Sequence, residues 1–214
     1  MRNNFRSLLK NLLTANFLLA ILCLLSGCMT AGENLDRSAV AKLQQGQTRD
    51  EVRKVFGSPQ REETGASGKS LDFYQVNFVR GNKAPLRAMI VRTLSVLYDE
   101  AGRVERFKNH VGELPIILTR MGWEAGAELD EARVREIERE TNSRFQLEAM
   151  FGPPTVEWLN CEGEEVMSWC FITGTGGFYR NGHELLVNFD SANRVKDYVY
   201  RKSTRNIRSL IVRD

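Results

Sequence analysis

The chain has 214 residues, with 30 Lys and Arg against 27 Asp and Glu, a formal charge of +3. That surplus sits in residues 1–27, where Arg2, Arg6 and Lys10 have no acidic counterpart, so the rest holds 27 basic and 27 acidic side chains. A charge-balanced body of about 187 residues lacks the basic excess that neutralising phosphates demands, which argues against a nucleic-acid partner, and it has room for two small cores.

Residues 1–27 read as a secretory signal: a basic start, an apolar run from Leu12 to Leu25 and small residues at its end. The run is about 14 residues, short of the roughly 20 that span a bilayer, and Thr14 and Asn16 weaken it further. Leu25-Ser26-Gly27-Cys28 resembles the lipobox of bacterial lipoproteins. The resemblance implies cleavage between Gly27 and Cys28, then diacylation and N-acylation of Cys28. One acyl chain holds a protein only marginally, at about 0.8 kcal/mol per buried methylene, whereas two or three anchor it durably. Met29 follows the cysteine in place of the aspartate that resembles an inner-membrane retention signal, which implies the periplasmic face of the outer membrane. Residues 28–34 are small and polar and read as a tether.

From residue 35 onward the chain repeats itself. Thr48 to Pro59 returns as Ser143 to Pro154, an offset of 95, and Leu94 to Val104 returns as Leu185 to Val195, an offset of 91. Two ordered echoes at nearly one offset predict a duplicated unit. The units cover 35–111 and 129–201, with 112–128 as a linker and 202–214 as a basic, solvated tail.

In the first unit, Leu35 to Leu43 has helical spacing and Gly46 ends it. Thr48 and Glu51 form a capping box for a second helix, whose apolar face is Val52, Val55 and Phe56 and which Gly57 and Pro59 stop. Leu71–Val79, Leu86–Tyr98 and Arg103–Val111 read as strands, with Asp99-Glu-Ala-Gly102 as a turn. Ile116, Ile117 and Leu118 predict that the linker packs in part. The second unit follows the same order. Leu129 to Ile137 is a helix, Ser143 and Gln146 cap the next, Leu147, Met150 and Phe151 line it, and Gly152-Pro153-Pro154 ends it. Val156–Leu159, Val166–Ile172, Glu184–Asp190 and Arg194–Tyr200 are the strands, with Thr173–Gly177 and Asn181-Gly182 as turns. The expected fold is α+β: two tandem repeats, each with two helices packed on a three- to four-stranded antiparallel sheet.

Catalytic chemistry is sparse. His110 and His183 lie in different units, and no cluster has metal-ligand spacing, so neither a metal nor a cofactor is expected. Gly65-Ala-Ser-Gly68-Lys69-Ser70 lacks the glycine five places before Gly68 that a phosphate-binding loop needs, and a strand follows it, so it reads as a hairpin loop. Ser168 and Ser191 have no histidine nearby. The pattern predicts a protein that is not an enzyme and has no small-molecule substrate. Of the four cysteines, Cys23 leaves with the signal and Cys28 takes lipid, which leaves Cys161 and Cys170 in an oxidising compartment. They can bridge if the chain reverses near Glu165. A reversal at Glu162–Glu164 puts Cys170 opposite about Val156, too far away.

Gly46-x-Thr48-x-x-Glu51-Val52 to Phe56-Gly57-x-Pro59, an aromatic strand, then Tyr98-Asp99-x-x-Gly102-Arg103-Val104 resembles the BamE (SmpA/OmlA) family of small outer-membrane lipoproteins. Ser143 to Pro154 followed by Trp169-Cys170-Phe171 is similar in the second unit. The resemblance implies two helices on a small antiparallel sheet, a fold also found twice over in the β-lactamase inhibitor proteins. It implies a lipid-anchored, periplasm-facing binding or scaffold role, accessory to the machinery that folds β-barrels into the outer membrane or to envelope integrity, with an envelope protein as partner. The chain departs from the family in having two units. It also lacks, in Met29 to Leu35, the tyrosine- and asparagine-containing segment that makes family contacts. The alternative is a periplasmic inhibitor or ligand-binding module whose tandem sheets form a concave surface, with Trp123, Trp158 or Tyr179 as anchors.

Overall fold

The two echoes are the parts of one local device, built twice. In the computed structural model, which describes residues 35–81, 87–120, 122–175 and 178–203, four short helices form: α1 Arg37–Val40, α2 Arg49–Phe56, α3 Glu131–Arg135 and α4 Arg144–Phe151. The Thr48 hydroxyl accepts from the Glu51 amide, and the Glu51 carboxylate accepts from the Thr48 amide at 2.8 Å. Ser143 and Gln146 close the same box on α4. Gly57 and Gly152 end these helices at φ of 79° and 78°, a conformation that glycine adopts without a Cβ clash. Asp99 accepts from the Ala101 and Arg103 amides, and Asp190 from those of Ala192 and Arg194, so each turn is stapled by its own aspartate. The turn carbonyls of Gly102 and Asn193 then accept the first helical amides, Arg49 at 3.0 Å and Arg144 at 3.1 Å. Capping box and turn recur together because they bond to each other.

The strands are β1 Arg61–Thr64, β2 Ser70–Arg80, β3 Ala88–Tyr98, β4 Val104–Thr119, β5 Gly122–Ala125, β6 Val156–Leu159, β7 Glu165–Thr175, β8 Phe178–Phe189 and β9 Val195–Ser203. They make one antiparallel sheet in the order β1-β2-β3-β4-β5-β7-β8-β9, with β6 added on β7. This corrects the expected pair of α+β repeats, each with two helices on its own small sheet. The described residues are mostly β, 52% strand against 16% helix, and the sheet curls as a half-barrel. The physical reason lies in residues 112–128. Their branched and aromatic side chains suit a pleated sheet, so Ile116 to Thr119 pairs with Gly122 to Ala125, and Trp123 to Ala125 pairs with Ile172 to Gly174. Ile117 and Leu118 are nevertheless exposed. The hairpin arms of β7 and β8 are also longer than expected: Thr173 pairs with Asn181 and Ile172 with Gly182, so these residues are strand, not turn.

The register carries one face across the whole sheet. On the outer face, Tyr74, Leu94, Val96 and Tyr98 pack under Leu35, Val40, Val52 and Phe56, and Met167, Trp169, Leu185 and Phe189 pack under Leu129, Val134, Leu147 and Phe151. On the inner face, Phe73, Met89, Val91 and Leu114 meet Val156, Trp158, Val166 and Cys170. There β6 lies across β3: the Thr93 hydroxyl donates to the Glu157 carbonyl and the Leu159 amide to the Ser95 hydroxyl, both at 2.9 Å. Contact is so close that a Cβ on Gly112 would stand 1.8 Å from the Thr155 carbonyl oxygen. All the described residues fall within one compact unit.

Candidate binding surface

Gly27 and Cys28 lie outside the described residues, as do the rest of the signal, the tether and the tail from residue 204. Cys161 and Cys170 are free. The reversal falls at Asn160–Glu164, and Val156 pairs with Ser168, so Cys170 lies past the start of β6, where its amide donates to the Thr155 hydroxyl at 3.1 Å. Burial pushes the Cys161 thiol up to about 11 and that of Cys170 up to about 12, so both are protonated and unreactive at neutral pH. Ser168 is buried and donates to Glu184 at 3.1 Å, with no histidine bonded to it. Gly65–Ser70 closes the β1–β2 hairpin, where Thr64 pairs with Ser70. No group of His, Cys, Asp or Glu side chains able to hold a metal is found among the described residues. Of the aromatic anchors, Trp158 is buried edge-on to Phe73 at 5.9 Å, Trp123 is half-buried, and the Tyr179 side chain lies outside the described residues. The inner, concave face is therefore filled by the molecule's own packing.

Two ion clusters hold the elements. Asp72 is 0% exposed, with Arg53 at 2.8 Å, Arg49 beside it and the Tyr98 hydroxyl at 3.3 Å. Burial alone would raise its pKa, but the bonds from Arg53 and Arg49 outweigh it and hold the carboxyl below the usual range. Glu62 joins the same arginines, at 3.1 Å from Arg49 and 2.8 Å from Arg53. The second cluster centres on Glu157, 2.8 Å from Lys108, 3.3 Å from His110 and 3.1 Å from Arg144. Burial again opposes ionisation, and the bonds from His110 and Lys108 override it, bringing Glu157 down to about 2. Glu165 accepts from Lys108 at 2.9 Å and Arg144 at 2.8 Å. In both clusters the buried carboxylate is held by side chains from more than one element, which suits a clamp.

The open chemistry is on the outer face, between the helix pairs. Residues 111, 113, 115 and 117 of β4 point that way; Val111 is 55% and Ile117 59% exposed, and Pro115 is exposed as well. At one margin a cleft of about 220 Å3 is lined by Leu35, Val40, Arg92, Asn109 and Val111. At the other, a cleft of about 320 Å3 is lined by Pro115, Ile117, Phe151, Pro153 and Trp169. Sequence reading missed this strip because residues 112–128 were assigned to a linker. The alternation Val111-x-Glu113-x-Pro115-x-Ile117 was the available signal, obscured by the proline.

Comparison with curated proteins and with solved structures returns no match. Residues 32–108 match the family model of the outer membrane protein assembly factor BamE domain, a stretch that takes in α1, α2 and the strands from β1 into β4. Over residues 32–108, then, this is a BamE-like protein.

Proposed function

We propose that the chain is a lipid-anchored, non-enzymatic binding or scaffold protein on the periplasmic face of the outer membrane, accessory to the assembly of β-barrel proteins or to envelope integrity. The BamE match over residues 32–108 carries this reading. The signal-like start and the lipobox-like Leu25-Ser26-Gly27-Cys28 support acylation at Cys28 after cleavage at Gly27. The offsets of 95 and 91 support descent of residues 129–201 from a duplicated first unit, with the repeated cap-and-turn device as its imprint. The inhibitor reading loses support, since Trp158 is buried and the concave face is filled.

Crosslinking in intact cells followed by purification from the outer-membrane fraction tests the proposal. The expected outcome is co-purification of envelope proteins with a protein that moves to the soluble fraction on Cys28→Ala. An unacylated, soluble mature protein, or an unchanged envelope permeability together with no envelope partner, contradicts it.

A further inference from the structure

The locus between the first helix of each half and the end of its sheet is closed in one half and open in the other. Residue 183 stands 91 places after 92, and 202 stands 91 after 111, on matched strands; Asp130 caps α3 as Asp36 caps α1, which places Glu131 where the first half has Arg37. In the second half the locus satisfies itself. The Tyr200 hydroxyl meets His183 Nδ1 at 3.1 Å, and Lys202 pairs with Glu131.

In the first half the same place is a cleft with unspent positive charge. Arg92 donates from Nη1 to the Leu35 carbonyl at 3.3 Å and lies over the Phe78 ring at 5.2 Å, while its buried Nε has no hydrogen-bond partner. Arg49, Arg53 and Arg144 each sit on carboxylates, whereas among the described residues neither Arg92 nor Arg37 has one. Asp36 also lines the cleft, but its Oδ1 is taken by the Ala39 amide at 2.6 Å and by the Ser38 hydroxyl, and it forms no ion pair with either arginine, so one acid faces two guanidinium groups. Along the strip that leaves this cleft, Glu113 is neutralised by Arg80 at 2.8 Å. What remains is two guanidinium groups at one end and exposed Val111, Pro115 and Ile117 beyond them. Val111 to Ile117 spans roughly 20 Å at about 3.4 Å per residue, the length of a six-residue strand or of about four helical turns.

We propose that this strip docks an amphipathic segment of a partner protein, its carboxylate on Arg92 and its aliphatic side chains along Val111 to Ile117. The inference rests on the reading of the chain as a protein-binding scaffold. A guanidinium held against an aromatic ring and short of acceptors favours a carboxylate, and the neighbouring aliphatic surface favours a segment that buries methyl groups beside it.

The test titrates the full acylated chain in detergent with two labelled 16-residue peptides. Both carry leucine at helical spacing; one has glutamate at the flanking positions and the other lysine. Neutral and anionic phospholipid vesicles, and sedimentation of the protein alone, run in parallel. The expected result is saturable binding of the glutamate peptide, weakened at least about tenfold by Arg92→Glu and by the exposed-site change Val111→Lys, and unchanged by Glu131→Ala in the second half. Arg92→Glu is expected to prefer the lysine peptide. Equal affinity for both peptides, no binding, indifference to Val111→Lys, capture by anionic vesicles alone, or self-association through the strip overturns the assignment. A photo-crosslinker at Ile117 separates this from the broader reading: envelope crosslinks from other positions but none from Ile117 reject the strip and leave the scaffold role standing.

Discussion

Arg49 and Arg144 stand 95 residues apart, and so do Glu62 and Glu157; both arginines open a helix beside a stapled turn, yet their acids have different fates. In the first half Glu62 lies on the edge strand β1, half-exposed, and the buried acid is Asp72 on β2. In the second half Met167 stands 95 residues after Asp72 and is buried in the apolar core, while Glu157 is covered by β3 and gathers Lys108 and His110 from the first half. Coverage decides the difference. A strand left at an edge keeps its carboxylate in water, and the same strand folded against a neighbour needs enough cations to offset desolvation. The Asp72 cluster ties a helix to its own strands, and the Glu157 cluster ties one half to the other.

Removing Asp72 is expected to have the largest effect. Asp72→Ala leaves two half-buried guanidinium groups without their central acceptor, and loss of one partner of a buried ion cluster costs about 3–5 kcal/mol. The shift in urea midpoint measures it. A loss below about 1 kcal/mol would mean that Glu62 and water replace Asp72, as at exposed pairs. Gly112→Ala follows at about 3 kcal/mol, because the new methyl would need the Thr155 carbonyl to retreat. It opens the seam between halves beside the Glu157 cluster, the new methyl standing 3.2 Å from His110 Nε2, so its denaturation curve shows whether the halves unfold together. A single transition of unchanged slope is expected.

Acid separates the clusters further. The folded pKa of Glu157, about 2, lies below its ordinary 4.5, so its contribution is fully present above pH 4.5 and is lost as pH falls from there toward 2. It amounts to as much as about 3 kcal/mol. Glu157→Gln is expected to flatten the stability profile across that window in circular-dichroism melts at successive pH values. An unchanged slope would place the proton uptake at other carboxylates, Asp72 foremost among them, since it too is held low.

The caps, the turns and the strand centres were legible because each is a short-range signal: Thr48 with Glu51, Ser143 with Gln146, and Asp99 and Asp190 with amides two and four residues on. Long-range pairing was not. Ile116 to Thr119 has the same side chains whether it packs as a linker or pairs with β5, and only the partner strand decides. Of the candidate site, the sequence exposed the apolar 116–118 run. It hid Arg92, whose meaning comes from having no ion-pair partner, and Glu157, whose partners Lys108 and His110 lie nearly 50 residues away.

The smallest expected effects test whether the two local devices are still equivalent. Thr48→Ala and Ser143→Ala each remove one cap and are expected to cost about 1 kcal/mol, read from urea midpoints. The two caps share no hydrogen-bond partner, so the double variant should equal the sum within about 0.5 kcal/mol. The helices they start, however, are tied differently: Arg49 next to Thr48 holds Asp72, whose partners all lie in its own half, and Arg144 next to Ser143 holds Glu157, which also takes Lys108 and His110 across the seam. A fraying α4 therefore loosens one support of the carboxylate that bridges the seam, whereas a fraying α2 loosens a cluster that lies within one half. Ser143→Ala is accordingly expected to add to the destabilisation of Gly112→Ala by more than its own cost, and Thr48→Ala by its own cost only. Equal additivity for both would mean that the Glu157 clamp survives a loosened helix start, and that Lys108 and His110 hold the seam without Arg144.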